Sequence, residues 1–274
     1  SRIHLLHAPQ IIGMDESPAT AVRNKQMSSI VVGIGALKQQ KCDAFVSAGN
    51  TGALLAASTF ILGKLEGVIR PTIASYYPTI DGFKLLVDAG ANLELKPEML
   101  VQFAKMASIF CREILNIEEP RIGLLNVGEE EEKGTELLKN AHKLLKEYHN
   151  FVGNLEGKDI LFAKADVYLT DGLTGNVTLK FGESFPEALK VMIVNGVKSG
   201  AIRQDDAQIA QHVLTKALHP FNYEHVGGIP FLGVDGVSIV GHGGSSATAV
   251  CNMILGAKKC VKAGINDKIV ASLN

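Results

Sequence analysis

Cys42-Asp-Ala-Phe-Val-Ser-Ala-Gly-Asn-Thr-Gly-Ala-Leu-Leu-Ala-Ala-Ser-Thr59 is the stretch that decides the fold. The apolar run from Ala44 to Val46 suits a buried strand. Ser47 then opens a small polar loop framed by Gly49 and Gly52, and the Ala/Leu run after it has strong helix propensity. A glycine loop entering a helix offers unpaired backbone N–H groups and the positive end of the helix dipole, which together suit an anion. Glycine also lets the backbone approach a ligand that a Cβ would hold off. The same residues suit a tight strand-to-helix turn with no ligand at all, and this stretch alone leaves both readings open.

Working outward, the stretch has an echo. Asp43-Ala-Phe-Val-Ser-Ala-Gly-Asn-Thr-Gly52 aligns without a gap with Asp166-Val-Tyr-Leu-Thr-Asp-Gly-Leu-Thr-Gly175. Each half has an apolar strand, a hydroxyl residue, and Gly-x-Thr-Gly entering a helix. A third glycine and hydroxyl loop, His242-Gly-Gly-Ser-Ser-Ala247, follows a strand-like run from Gly233 to Gly241. A fourth polar loop, Asp88-Ala-Gly-Ala-Asn92, follows the strand-like run from Lys84 to Val87. Repeated strand–loop–helix units favour an α/β sheet with helices on its faces. In such a sheet ligands bind outside the carboxyl ends of the strands. Parallel strands would therefore gather Asn50, Thr51, Asp88, Asn92, Asp171, Thr174, Asn176, His242, Ser245 and Ser246 at one end.

The remaining segments fit this plan. Ile3 to His7 is strand-like. Ser17 and Pro18 read as a helix start, and Ser28 or Ser29 caps a second helical run. Pro71 to Ser75 reads as a strand, Pro78 to Gly82 as a turn, and Pro97 to Leu115 as a helix with a buried face. Arg121 to Val127 reads as a strand, and Glu129 to Glu132 as the solvated first turn of a helix that runs to Lys146. Phe151 to Asn154 and Val167 to Thr170 are further strands. Glu183 to Leu218 is helical with a break at Asn195 to Ala201, a helical hairpin within a single α/β domain spanning residues 1–274. Its apolar positions exceed what one surface face needs. They suit packing on the core or a second subunit, or an amphipathic element that meets a membrane or partner.

Composition narrows the function classes. The chain has 274 residues, 46% hydrophobic, 20% charged, with a net charge of −1, so no global field attracts nucleic acid. Trp is absent and aromatics are 6%, which argues against a stacking surface for single strands. The four cysteines, Cys42, Cys111, Cys251 and Cys260, are scattered without a Cys-x-x-Cys, which points away from zinc and disulfides and toward a reducing cytoplasm. No apolar run reaches the roughly 18 residues of a membrane span. The chain begins at Ser1 directly in a strand-like run, so a preceding strand–helix segment is expected.

The loop residues are rich in neutral donors and poor in metal ligands, and neither a metal nor a cofactor is expected. There is no Gly-x-Ser-x-Gly elbow, His-Glu-x-x-His or Walker A lysine. The set suits a reaction whose substrate brings its own nucleophile, such as phosphate, and needs an anion cradle with donors aimed at a developing oxyanion.

Six motifs in series carry a resemblance. They are Ser47-Ala-Gly-Asn-Thr-Gly-Ala-Leu54, Asp88-Ala-Gly-Ala-Asn92, Leu125-Asn-Val-Gly-Glu-Glu-Glu131, Gly153-Asn-Leu-Glu-Gly157, Asp171-Gly-Leu-Thr-Gly-Asn-Val177 and Leu232-Gly-Val-Asp-Gly-Val-Ser-Ile-Val-Gly-His-Gly243. Together they resemble the bacterial phosphate acyltransferase family of phospholipid synthesis (PlsX), from near residue 10 to near residue 255. The resemblance implies a three-layer α/β/α fold similar to the isocitrate/isopropylmalate dehydrogenases and phosphotransacetylases, and a homodimer. It implies that acyl phosphate is made from fatty acyl-acyl carrier protein and inorganic phosphate, for use by a downstream glycerol-3-phosphate acyltransferase. It also implies peripheral membrane contact near residues 195–201. The family's opening Asp-Ala-Met-Gly-Gly-Asp loop is absent here, Asp235 stands where the family often has Asn, and Gly244 is added before Ser245.

On this resemblance phosphate is expected against Ser47, Gly49, Asn50, Thr51 and Gly52 and against Asp171, Gly172, Thr174 and Gly175, with Asp88, Asn92, Ser245 and Ser246 nearby. Asn176, Lys180 and His242 are the expected catalytic donors. Lys180 lies four residues past Asn176, so one helical face presents both. Two rivals stay open at this point. One is a nicotinamide-dependent β-decarboxylating dehydrogenase, which wants spaced metal-binding carboxylates and an arginine cluster. The other is a non-catalytic module that binds an anion or an acyl carrier.

Overall fold

The computed structural model describes residues 3–218 and 226–273. Side-chain alternation on the central strands divides the core into two. On β3 (Gly82–Val87), Leu85 and Val87 enter one cluster and Leu86 the other; on β6 (Val167–Leu169), Val167 and Leu169 oppose Tyr168. That period of two puts apolar groups on both faces, so both faces need a helical cover. Over the first face lie α4 (Pro97–Leu115), α5 (Glu136–Leu145), α9 (Ala247–Ala263) and α10 (Ile265–Leu273). Over the second lie α1 (Pro18–Asn24), α2 (Ser29–Lys38), α3 (Thr51–Ala57), the short α6 (Gly157–Ile160) and the start of α7 (Gly172–Lys198). The result is the three-layer α/β/α arrangement read from the sequence.

The other strands are β1 (Ala44–Ser47), β2 (Thr72–Thr79), β4 (Ile122–Leu125), β5 (Phe151–Leu155), β7 (Ile229–Leu232) and β8 (Val237–Val240). The sheet order is β1-β8-β7-β2-β3-β6-β4-β5. β1 and β8 are parallel, and β3, β6, β4 and β5 are parallel, but β7–β8, β7–β2 and β2–β3 are antiparallel. The sheet is therefore two parallel blocks running in opposite directions, not one, which corrects the expectation that all the loops follow strands of one direction.

Several boundaries also differ from the sequence reading. Residues 3–7 form no strand and are exposed. β2 runs through Pro78, and the turn to β3 is only Ile80 and Asp81. Glu129 to Glu132 lie in a loop rather than in a helix. Asn126 Nδ2 closes that loop on the Lys133 carbonyl at 3.0 Å, Gly134 adopts φ +87°, and Thr135 caps α5. Asp171 to Asn176 are the cap and first turn of α7, so the helix expected after this loop already begins at Gly172 and runs without a break into the hairpin. A turn at residues 199–203 joins α7 to α8 (Gln204–Ala217), and the two helices pack together. The expected strand from Gly233 to Gly241 is β8 alone, preceded by the unanticipated β7.

One buried ion-pair group ties the second block together. Asp166 Oδ1 lies 2.8 Å from Lys84 Nζ, with both side chains less than a tenth exposed. Asp166 Oδ2 accepts from Arg121 Nε at 3.0 Å and Arg121 N at 2.9 Å. β3, β4 and β6 thus meet at one carboxylate. Burial pushes the Asp166 carboxyl up, but hydrogen bonds from Arg121 and Lys84 more than offset it, and the group lies below its ordinary value. A depressed carboxylate contributes stability that is present above its unfolded pKa of about 3.9 and is lost as pH falls through the folded value. Asp166→Asn leaves the buried Lys84 with only the exposed Asp81 carboxylate, at 3.2 Å, as a charged partner. We expect it to cost about 3 kcal/mol in urea unfolding at neutral pH, with the difference from wild type shrinking as pH falls below about 4.

Candidate functional site

The reversal of strand direction is what assembles the site. β2 pairs with β7 at Thr72–Leu232 and Ile73–Phe231; extending that register by two residues puts Ile229 level with Ser75. Ile229 pairs with Val240 of β8, and Ser75 pairs with Leu86 of β3. Val240 and Leu86, each at or next to the end of its strand, therefore share one row although their strands run oppositely. The loops that follow β1 and β8 come from one side, and those that follow β3 and β6 come from the other. They meet over the middle of the sheet.

Most polar side chains in these loops hold the loops themselves. Ser47 Oγ accepts from Gly49 N at 3.1 Å. Asn50 is buried; its Oδ1 caps α3 by accepting from Ala53 N at 2.9 Å, and its Nδ2 donates to the Gly13 carbonyl at 3.0 Å. Asp88 is fully buried and accepts from Thr72 Oγ1, Ile73 N, Ala91 N, Asn92 N and Asn92 Nδ2. Burial still holds its carboxyl above the usual range, against the pull of those bonds. Asp171 caps α7 through Thr174 N and also accepts from Thr174 Oγ1. Ser246 caps α9 through Ala249 N, and Ser245 Oγ donates to the His242 carbonyl at 2.6 Å. Each cap satisfies a donor that the helix start leaves open.

The glycines of the echo serve close approach to protein backbone. A Cβ on Gly172 would meet the Asn92 carbonyl at 2.6 Å, and one on Gly175 would run into the Asp88 carbonyl. Both positions let α7 seat directly on the Asp88–Asn92 loop. Gly172 N bonds Asn92 O at 2.8 Å and Gly175 N bonds Asp171 O at 2.9 Å, so these N–H groups are spent. At α3 the picture differs. Ala53 N and Leu54 N are bonded to Asn50, whereas Thr51 N and Gly52 N have no acceptor among the described residues.

A cleft of about 1080 Å³ runs across this meeting point, near the upper end of small-molecule sites. Its polar end is formed by Thr51, Gly52, Gly90, Asn176, Lys180 and His242. Along its remaining length Leu179, Pro186, Leu214 and Leu218 of the hairpin stand among Glu183, Glu187, Lys190, Gln211 and Thr215 on one side, and Ile73, Tyr76, Tyr77 and Ile229 lie on the other. Of the residues singled out from sequence, Thr51, Gly52, Asn176, Lys180 and His242 line the cleft. Ser47, Gly49, Asn50, Asp88, Asn92, Asp171, Gly172, Thr174, Gly175, Ser245 and Ser246 stand behind that lining and shape it. Gly244 N donates to His242 Nδ1 at 3.1 Å, which leaves the proton of the neutral ring on Nε2. Lys180 Nζ pairs with Glu183 at 2.7 Å on the exposed side of α7.

The apolar lining was missed in the sequence; its signal was the excess of apolar residues in the hairpin, which line the cleft at Leu179, Pro186 and Leu214. Among the described residues one carboxylate group, Glu129, Glu156 and Asp159, brings its oxygens within 4.8 Å of one another. None of the three lines the cleft, and Glu156 and Asp159 are engaged in a reciprocal helix cap and with Lys158 and Lys164.

An α/β/α sheet with opposed loops over its centre and one cleft between them is a fold that solved phosphotransacylases share. EutD phosphotransacetylase from Staphylococcus aureus shares the fold at TM-score 0.53 and 13% identity, covering 86% of this chain and 68% of its own. A branched-chain phosphotransacylase from Enterococcus faecalis does so at TM-score 0.53 and 13% identity, over 85% and 79%. The chain belongs to the family described as "Fatty acid synthesis protein", whose profile matches residues 1–268. The phosphate acyltransferase of Chlorobaculum tepidum is 49% identical over 282 aligned positions, which cover 99% of this chain and 85% of that protein.

Asn50→Ala removes both the α3 cap and the tether to Gly13. It is expected to lower stability by about 2 kcal/mol in chemical denaturation, the cap alone accounting for about 1.

Proposed function

We infer that the chain is a phosphate acyltransferase that moves a fatty acyl group from its thioester with acyl carrier protein to inorganic phosphate. The observation that carries this reading is the single cleft that joins a donor-lined polar end to a longer stretch bearing the apolar side chains of Leu179, Pro186, Leu214, Leu218, Ile73 and Ile229. A phosphate needs the first and an acyl chain needs the second. The names of the relatives favour this transfer over the dehydrogenase and the non-catalytic module.

Phosphate sits at the start of α3, where the unspent N–H groups of Thr51 and Gly52 and the helix dipole face it. The loop framed by Gly49 and Gly52 and the turn from Asp171 to Asn176 flank it from opposite sides. One phosphate oxygen attacks the thioester carbonyl carbon, a C–O bond forms, and the carbonyl oxygen becomes an oxyanion. The side-chain amide of Asn176, exposed at the polar end and without a protein partner among the described residues, donates to that oxyanion. Collapse expels the thiolate, to which His242 Nε2–H donates a hydrogen bond and the Lys180 ammonium gives a proton. Phosphate is already an anion at neutral pH, so the reaction asks for position more than for a strong base.

Wider roles follow the same reading. The acyl phosphate is consumed by a membrane glycerol-3-phosphate acyltransferase. The chain works in the cytoplasm as a homodimer and touches the bilayer near residues 195–201. What supports the membrane contact is the hairpin surface. Val191, Met192, Ile209 and Val213 are exposed, and Lys198 and Arg203 flank the tip. Val250, Ile254 and Leu255 on α9 give an exposed apolar face for a second copy. No described helix is long and apolar enough to cross a membrane.

Purified protein incubated with acyl-carrier thioester is expected to release thiol and form hydroxylamine-trappable acyl phosphate only when phosphate is present, with saturable phosphate dependence. Thiol release at the same rate without phosphate would sink the assignment. Asn176→Ala is expected to lower kcat by about 10²-fold with little change in the KM for phosphate.

A further inference from the structure

The two walls of the cleft differ in kind, and we propose that they sort the two arms of the thioester. The apolar side chains of the hairpin wall take the acyl chain, and the main-chain edge of β2 at Tyr76, unpaired among the described residues, takes an amide of the arm that carries the thiol. This rests on the phosphate acyltransferase reading and adds to it the recognition of the substrate's carrier side.

The β2–β7 ladder covers only Thr72–Leu232 and Ile73–Phe231. Ile73 turns its main chain toward β3: its N–H donates to Asp88 Oδ1 at 3.1 Å, and its carbonyl accepts from Ala89 N at 3.1 Å. Main-chain groups alternate along a strand, so Ala74 and Tyr76 turn theirs toward β7. The partner strand agrees. Leu85, opposite Tyr76, sends its N–H to the Asp166 carbonyl at 2.9 Å, away from β2. The next rung of the β2–β7 ladder would join Ala74 to Pro230, and proline has no N–H to give. The ladder ends there. Beyond it the Tyr76 N–H and C=O have no partner among the described residues, and Tyr76 and Ile229 both border the cleft. The Tyr76 ring packs against Phe83 and Phe110 at centroid distances of 6.2 Å, which fixes the main chain it belongs to.

A strand edge without a partner pairs with any group that brings a donor and an acceptor at strand spacing. An acyl chain brings neither and would strip water from both Tyr76 groups without replacing it. A secondary amide brings both, and the thiol-bearing arm of an acyl carrier is built from such amides. On the hairpin wall Leu179, Pro186, Leu214 and Leu218 offer carbon surface between its polar side chains, which suits the chain.

The test compares two small substrates with phosphate as co-substrate: the decanoyl thioester of N-acetylcysteamine, and that of its ester isostere, O-acetyl-2-mercaptoethanol. The amide is expected to raise kcat/KM about tenfold, equal to about 1.4 kcal/mol. A ratio within twofold of one in the wild type overturns the proposal. A second readout does not depend on turnover. Hydrogen exchange at Tyr76 N–H is expected to slow at least tenfold when the thioether analogue of decanoyl-N-acetylcysteamine binds, and unchanged exchange in the bound state overturns the placement. If neither thioester reacts with phosphate, the transfer reading fails, and the exchange result still decides where the amide lies.

Discussion

The short antiparallel contact between β2 and β7 is the constraint on which the rest depends. Two strand pairs, Thr72–Leu232 and Ile73–Phe231, join blocks that run in opposite directions. Had the junction been parallel, the loops after β1 and β8 would lie at the same sheet end as those after β3 and β6, along one edge. The reversal instead places Val240 and Leu86 on one row and makes the two loop sets converge over the sheet centre. The cleft is thus a consequence of topology before any side chain is considered. Loop sequences then decide what it holds.

Asp88 is the second element of this assembly. A carboxylate taken fully out of water is costly unless donors replace the lost solvent. Thr72, Ile73, Ala91 and Asn92 supply them, and in doing so they fix the loop's path. The loop's backbone then offers a surface so close that only glycine fits opposite it, at Gly172 and Gly175. Asn176 follows one residue later, with its Cβ 3.5 Å from where a Cβ on Gly90 would stand. A buried charge on one strand therefore sets where an exposed amide on another element can point.

The α/β class, the three loops at helix starts, the second helix cap at Ser28 and most of the strands were legible because each leaves a local mark: apolar runs, capping residues and glycines. Strand direction was not legible, because a period of two is the same whichever way a strand runs. β7 was hidden for a related reason. It is short, contains Pro230 and follows two glycines, and each of those features reads as loop. The Glu129–Glu132 run matched the charge preference of a helix start, yet Thr135 and Gly134 set the true boundary. The candidate site was legible as a neighbourhood but not as a list of contacts. Asn, Asp and Ser are favoured both as helix caps and as anion donors, so sequence alone does not separate Asn50, Asp171 and Ser246, which cap, from Asn176, which faces the cleft.

That overlap between capping and binding has a physical reading. A helix start has more donors than its own cap can satisfy, and the cap residue chooses which remain. At α3 the Asn50 side chain takes Ala53 N and its carbonyl takes Leu54 N, which leaves Thr51 N and Gly52 N facing the cleft. At α7 the cap and the Asn92 carbonyl consume the donors of Gly172, Thr174 and Gly175. The two echoed loops, alike in sequence, are therefore unequal as anion sites. Part of the difference is local: the cap stands at Asn50 in one loop and at Asp171 in the other, so the aligned Gly52 and Gly175 are the second and fourth residues of their helices. The Asn92 carbonyl adds the rest by taking Gly172 N. Both starts spend their third and fourth N–H groups on the cap, and tertiary packing takes one more at α7, Gly172 N, where Thr51 N stays open. Under the proposed placement, phosphate at α3 would meet donors that the helix start already holds in position, with no protein hydrogen bond to break first.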